Sequence, residues 1–104
     1  MSDIRLILCT FPSVEEARQI GTTLVEKQLA ACVNLIPGVE SVYRWQGSVE
    51  TAAETLAIIK TRATAADALS AALAELHPYG VPEIVVLDPA GVNESYRNWL
   101  LRET

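Results

Sequence analysis

Apolar residues along the chain fall into two rhythms. Ile4–Cys9 is a short, mostly apolar run and reads as a buried strand, closed by Thr10-Phe11-Pro12. From Ser13 the spacing becomes helical: Val14, Ala17, Gly21, Leu24 and Val25 form one stripe, with Glu15, Arg18, Gln19, Glu26 and Lys27 opposite. Ser13 and Glu16 stand at capping-box spacing, which predicts a helix starting there and running to about Leu29. A second helical stretch carries Leu69, Leu73 and Leu76 as its buried stripe, with Thr64 as cap and Asp67 in the capping-box position. It ends at His77-Pro78, because proline disfavours a helical residue before it. Tyr79-Gly80 and Pro82 form a rigid connector. The dense apolar run inside Glu83–Asp88 predicts a last strand buried on both faces. Pro89-Ala90-Gly91 breaks it, and a terminal helix from Asn93 or Glu94 presents Tyr96, Trp99 and Leu100 on its apolar side, with Trp99 closing a core.

Between the two main helices lie two long extended runs, Cys32–Trp45 and Val49–Thr61, joined by a turn at Gln46-Gly47-Ser48. A straight strand from Val33 to Trp45 reaches roughly 43 Å at about 3.3 Å per residue. A compact domain of this size is only roughly 34 Å wide. The hairpin is therefore expected to overhang its own domain and to pair with another subunit. Pro37-Gly38 sits inside the first run and predicts a bend or bulge.

The order strand, helix, strand, strand, helix, strand is the split βαββαβ, ferredoxin-like pattern, an α+β fold with a short C-terminal helix added. Right-handed crossovers put both main helices on one face of an antiparallel sheet, so the other face needs partner subunits. The 104 residues suit one domain spanning residues 1–104, half of them hydrophobic and a fifth charged. A net charge of −5 argues against nucleic acid as a partner. No apolar run approaches a membrane span, and the start lacks the features of an export signal, so the expected compartment is the cytoplasm. With only Cys9 and Cys32 and no CxxC pair, reduced thiols are expected over a disulfide.

No catalytic signature is present: the glycines form no phosphate loop and no nucleophile elbow surrounds a serine, so the chain reads as a non-enzyme. Thiolate and imidazole make Cys9, Cys32 and His77 candidate ligands for copper or zinc. Against that, Cys9 reads more simply as a buried inert thiol, and His77 reads equally as a protonated helix C-cap. Glu83 is close enough along the chain to converge with His77. Glu50 and Glu54 share a strand face by period two, most simply as a solvated face, and Tyr43, Trp45 and Tyr79 read as packing or interface aromatics.

The early Cys9-Thr10 with Pro12, the segments ACVNLIPG (Ala31–Gly38) and SVYRWQG (Ser41–Gly47), then Glu50, Glu54 and Lys60-Thr61, HPYGVPEI (His77–Ile84), and Tyr96 with Trp99 resemble, in order, the CutA family of divalent-cation tolerance proteins. That resemblance covers nearly the whole chain. It implies a ferredoxin-like subunit in a tight homotrimer, with the long hairpin strands pairing between subunits. It also implies divalent-metal tolerance, with copper or another divalent cation as the bound ion. The proposed ligands of the family fall here on Cys9, His77 and Glu83. An alternative drawn from the same resemblance is a PII-like regulatory trimer that binds a small metabolite or partner in clefts between subunits.

Overall fold

A computed structural model describes residues 2–104. Its central element is β1 (Ile4–Phe11), which pairs antiparallel with β3 along its whole length, from Ile4 opposite Arg62 to Phe11 opposite Thr55. The strand runs two residues past the expected Cys9 end, because Thr10 and Phe11 still find partners in Leu56 and Thr55. Pro12, with no N–H to donate, follows it. Ser13 then caps α1 (Val14–Glu26), its Oγ accepting the Glu16 N–H at 3.2 Å. Only that half of the capping box forms, since Glu16 Oε2 is buried without a partner. The helix stops short of Leu29. Gln28 adopts φ +58°, and the N–H groups of Leu29 and Ala30 both return to the Leu24 carbonyl, at 3.0 and 3.2 Å.

β2 (Cys32–Trp45) and β3 (Ser48–Arg62) form the long hairpin. The turn has two residues rather than three: Gln46 and Gly47 take φ +49° and +85°, and Ser48 already pairs with Trp45. Positive φ at both central positions is the primed turn that matches strand twist. The expected irregularity at Pro37-Gly38 is a bulge: Ile36 pairs with Leu56, and the next pair is Val39 with Glu54. β2 thus spends one residue more than β3 there, so the parity of its side chains reverses. Before the bulge Val33 and Leu35 share the face of Ile59 and Ala57; after it Val39, Ser41 and Tyr43 share the face of Glu54, Ala52 and Glu50.

Thr64 does not cap the second helix. The Ala63 N–H is held by the Asp3 carbonyl at 2.7 Å, and the chain winds a 3-10 turn over Ala63–Ala65 before α2 (Ala66–Leu76) begins without a side-chain cap. β4 (Val85–Leu87) is shorter than the expected Glu83–Asp88 strand and is not buried on both faces: its residues are at least 40% exposed. It lies on the sheet edge, in the order β2-β3-β1-β4, with β1 as its one neighbour. α3 (Glu94–Arg102) buries Leu100, while Trp99 remains 37% exposed and does not close a core. The Arg62 guanidinium ties this helix down by donating to the Leu101 carbonyl and, at 3.0 Å, to Thr104 Oγ1.

The order and antiparallel pairing are those of the ferredoxin-like sheet. Ile7, Cys9 and Phe11 of β1 and Ala57 and Ile59 of β3 meet Ala17 and Leu24 of α1 and Leu69 and Leu73 of α2 in one core. The alternate residues point the other way. There α3 covers only the Ile4 end through Leu100, and no helix of that core covers the rest. The body measures 44 × 27 × 22 Å, and the long axis bears out the overhanging hairpin.

Thr61 is fully buried and its Oγ1 donates to the Leu29 carbonyl at 2.6 Å, locking the exit of α1 to β3. Thr61→Val keeps the shape and removes the donor. It is expected to lower unfolding free energy by about 1–2 kcal/mol, measured by urea denaturation, whereas Thr61→Ser stays closer to the parent protein.

Candidate functional site

The C-terminal end of β1, the end of α2 and the connector after it meet around His77. Proline at 78 releases the chain from α2, and the His77 ring turns inward and is 7% exposed. It stacks on Phe11, with centroids 4.6 Å apart and planes at 20°. The Tyr79 backbone N–H donates to Nδ1 at 3.1 Å, so Nδ1 carries no proton. Nε2 lies 2.7 Å from the Thr10 carbonyl, which can only accept, so Nε2 carries the proton. The ring is neutral, with both nitrogens engaged. This corrects the protonated C-cap reading: the imidazole faces β1 instead of the last carbonyls of α2.

Cys9 shares that acceptor. Its thiol lies 3.8 Å from the Thr10 carbonyl and is wholly buried. Burial, then the nearby carboxylates of Glu83 and Glu54, push the thiol up to about 12. The fold thus brings Cys9 and His77 onto one carbonyl, with neither group free. Glu83 is exposed and lies outside β4, on the rim of a cleft of about 730 Å³. Cys32 is half-buried on the far part of β2, near Asn34 and away from this site. Both cysteines are free thiols.

The cleft is bounded by Thr10 at the end of β1, by the connector with Tyr79 and Glu83, and by the hairpin arm with Tyr43 and Trp45. Tyr79 Oη donates to Glu54 Oε2 at 2.8 Å. Burial, with the Glu54 hydrogen bond next, raises the Tyr79 hydroxyl from 10.0 to about 12 and keeps it a neutral donor. Sequence reading treated Glu54 with Glu50 as a solvated pair. The structure separates them, since Glu54 bonds Tyr79 while Glu50 is exposed opposite Tyr43. The sequence marked Glu54 by its face on β3 and by its place among the family-like residues, but nothing local announces a partner 25 residues away.

Among the described residues, no group of three or more His, Cys, Asp or Glu side chains is gathered to hold a metal ion. The soft ligands Cys9 and His77 are buried and hydrogen-bonded, whereas the cleft itself offers carboxylate, hydroxyl and carbonyl oxygens. Cys9 and His77 lie buried at the Thr10 carbonyl, whereas Glu83 stands exposed on the cleft rim.

Two outcomes follow. A disulfide thiol reagent at about pH 8 should label Cys32 in the native protein and Cys9 only after unfolding, read by mass spectrometry. For Tyr79, the folded state holds its proton more tightly than the unfolded state, so its contribution to stability is complete below about pH 10 and is lost as pH rises toward 12. Thermal melts across that window should fall more steeply for the parent protein than for Tyr79→Phe.

The CutA1 divalent ion tolerance protein family matches residues 5–103. The chain is 48% identical over 99 residues to the divalent-cation tolerance protein CutA of Thermus thermophilus, across 95% of this chain and 96% of that one. The solved structure of the Thermus protein superposes with a TM-score of 0.93, covering 97% of this chain and 98% of that one. CutA from Xylella fastidiosa, 40% identical, superposes with a TM-score of 0.95 over 98% of both chains. Protein CutA 1, chloroplastic, of rice (Oryza sativa) is 42% identical over 99 residues, which is 95% of this chain and 56% of that protein. With a match across almost its whole length and a shared fold, this chain belongs to the CutA1 divalent ion tolerance protein family.

Proposed function

We propose that this chain acts in divalent-cation tolerance by binding the ion without transforming it, as a cytoplasmic homotrimer. Family membership supports the tolerance role. The observation that carries ion binding is the acidic cleft, where Glu83 stands exposed at the rim and the Glu54 carboxylate lies inside. Glu83 is the first contact. Cys9 and His77 join it only if the ring leaves the Thr10 carbonyl, because both nitrogens are otherwise occupied. Oxygen ligands favour hard cations, and thiolate with imidazole favours copper, so copper binding demands that local opening while a hard cation does not. Two free thiols support a reducing compartment. No comparison favours the PII-like alternative.

Titration calorimetry with copper(II) and magnesium(II) tests this reading. Glu83→Gln should weaken both ions by about tenfold, the scale of one lost charge-assisted contact. Cys9→Ala should weaken copper alone. Unchanged affinity for both ions in Glu83→Gln moves the site elsewhere.

Support for the trimer comes from exposed apolar surface in two places. The arm presents Val42 and Val49 at 65% and 68% exposure, and β4 leaves an apolar edge open on the opposite side of the sheet. Light scattering on a sizing column should give about three times the chain mass of 11.3 kDa. A folded monomer at micromolar concentration removes this assembly.

A further inference from the structure

β4 stops short of a partner that its own register offers. Its ladder to β1 pairs Leu6 with Leu87, Ile7 with Val86 and Leu8 with Val85. Carried on, that register sets Ile84 opposite Cys9 and Glu83 opposite Thr10. Ile84 is already packed against the core that holds Cys9. Hydrogen-bonded pairs alternate along an antiparallel ladder, and one bounded by Leu6 and Leu8 exchanges its bonds at those two residues. Both therefore turn their backbone groups toward β4, and by alternation Thr10 does the same. The donor that the Thr10 carbonyl meets in a longer β4 is the Glu83 N–H. In the structure its donor is instead His77 Nε2, 2.7 Å away, and β4 begins only at Val85.

Two donors thus compete for one acceptor. A part-buried carbonyl left with neither is costly, so the arrival of one donor eases the departure of the other. We propose that the His77 ring and the Glu83 N–H are alternative partners of the Thr10 carbonyl, which makes the connector a two-state switch: ring in with β4 starting at Val85, or ring out with β4 extended back to Glu83. The extension ends there, because the next such pair falls on Pro12, which has no N–H to exchange. The ring-in state adds the Phe11 stack and the Tyr79 N–H bond to Nδ1, so it is the resting state. The ring-out state frees both imidazole nitrogens and fixes the backbone of Glu83 beside Thr10. Whatever binds the imidazole binds that state alone and draws the equilibrium toward it. The switch does not rest on the divalent-cation reading, since both donors belong to this chain.

The experiment uses the assembled protein, isotopically labelled for NMR and free of added metal. His77→Phe keeps a ring to stack on Phe11 and removes both imidazole nitrogens. In that variant a scalar coupling across the hydrogen bond, from the Thr10 carbonyl carbon to the Glu83 amide nitrogen, is expected; the parent protein shows none. Should His77→Phe fold poorly, the native ring gives a second readout. His77 is the single histidine of the chain, and its acylation by diethyl pyrocarbonate, read by mass spectrometry, reports the ring-out state. Glu83→Pro removes the competing N–H and should slow that acylation by about tenfold, the scale of one lost hydrogen bond. Glu83→Gln keeps the N–H and should leave the rate unchanged.

Absence of the Thr10–Glu83 coupling in a folded His77→Phe protein overturns the proposal. So does an acylation rate that Glu83→Pro leaves unchanged. A rate that Glu83→Gln slows equally also overturns it, because the carboxylate and not the backbone N–H then governs the ring. None of these outcomes depends on cation binding, which calorimetry of the same proteins decides separately.

Discussion

Everything in this fold depends on the two-residue period of the β1–β3 pair. Each side chain of those strands belongs to one face or the other; α1 and α2 cover one face, while α3 reaches only the Ile4 end of the other. Ile7, Cys9 and Phe11 are buried because α1 and α2 meet them there, while Leu6, Leu8 and Thr10 take the opposite face by alternation and stay partly open. That division explains why an apolar chain of this length leaves so much hydrophobic surface unspent. It also places Thr10 at a junction: its side chain lies on the open face, while its carbonyl anchors the His77 ring.

Much of the architecture was legible in the residues. The helical stripe from Val14 to Leu24, the Ser13 cap and the long hairpin are all local signals, and they fix the order of elements from which the topology follows. Family motifs added the same answer independently. What escaped was set by contacts distant in sequence. Thr64 lost its capping role because Asp3 holds Ala63 from the other end of the chain. The Val85–Leu87 run looked buried because its composition is that of a central strand, yet its position is an edge. Strand parity counted straight through Pro37-Gly38 assigns Tyr43 to the wrong face, because one extra residue there resets the count.

The candidate site shows the same split between residue type and residue state. Of the residues singled out as candidate ligands, Cys9 and His77 meet at one carbonyl, while Glu83 stands on the rim of the adjoining cleft. Their ordinary chemistry is suppressed by that meeting. A thiol with no exposure and an imidazole with both nitrogens occupied are packing and scaffolding groups until something moves. The carboxylates of Glu54 and Glu83 and the rings of Tyr43, Trp45 and Tyr79 line the adjoining cleft. Spacing along a chain identifies which groups can arrive at a place, and hydrogen bonding decides what they can do once there.

The His77 ring has a dynamic consequence as well. It joins the backbone of Thr10 to that of Tyr79, across a sequence distance that no helix or strand spans. The Tyr79 amide sits in an irregular segment, where backbone hydrogens ordinarily exchange with solvent within local fluctuations. Here its hydrogen exchanges only after the bond to the buried His77 Nδ1 opens. Protection of that one amide therefore reports on how firmly the ring ties the connector to the strand end.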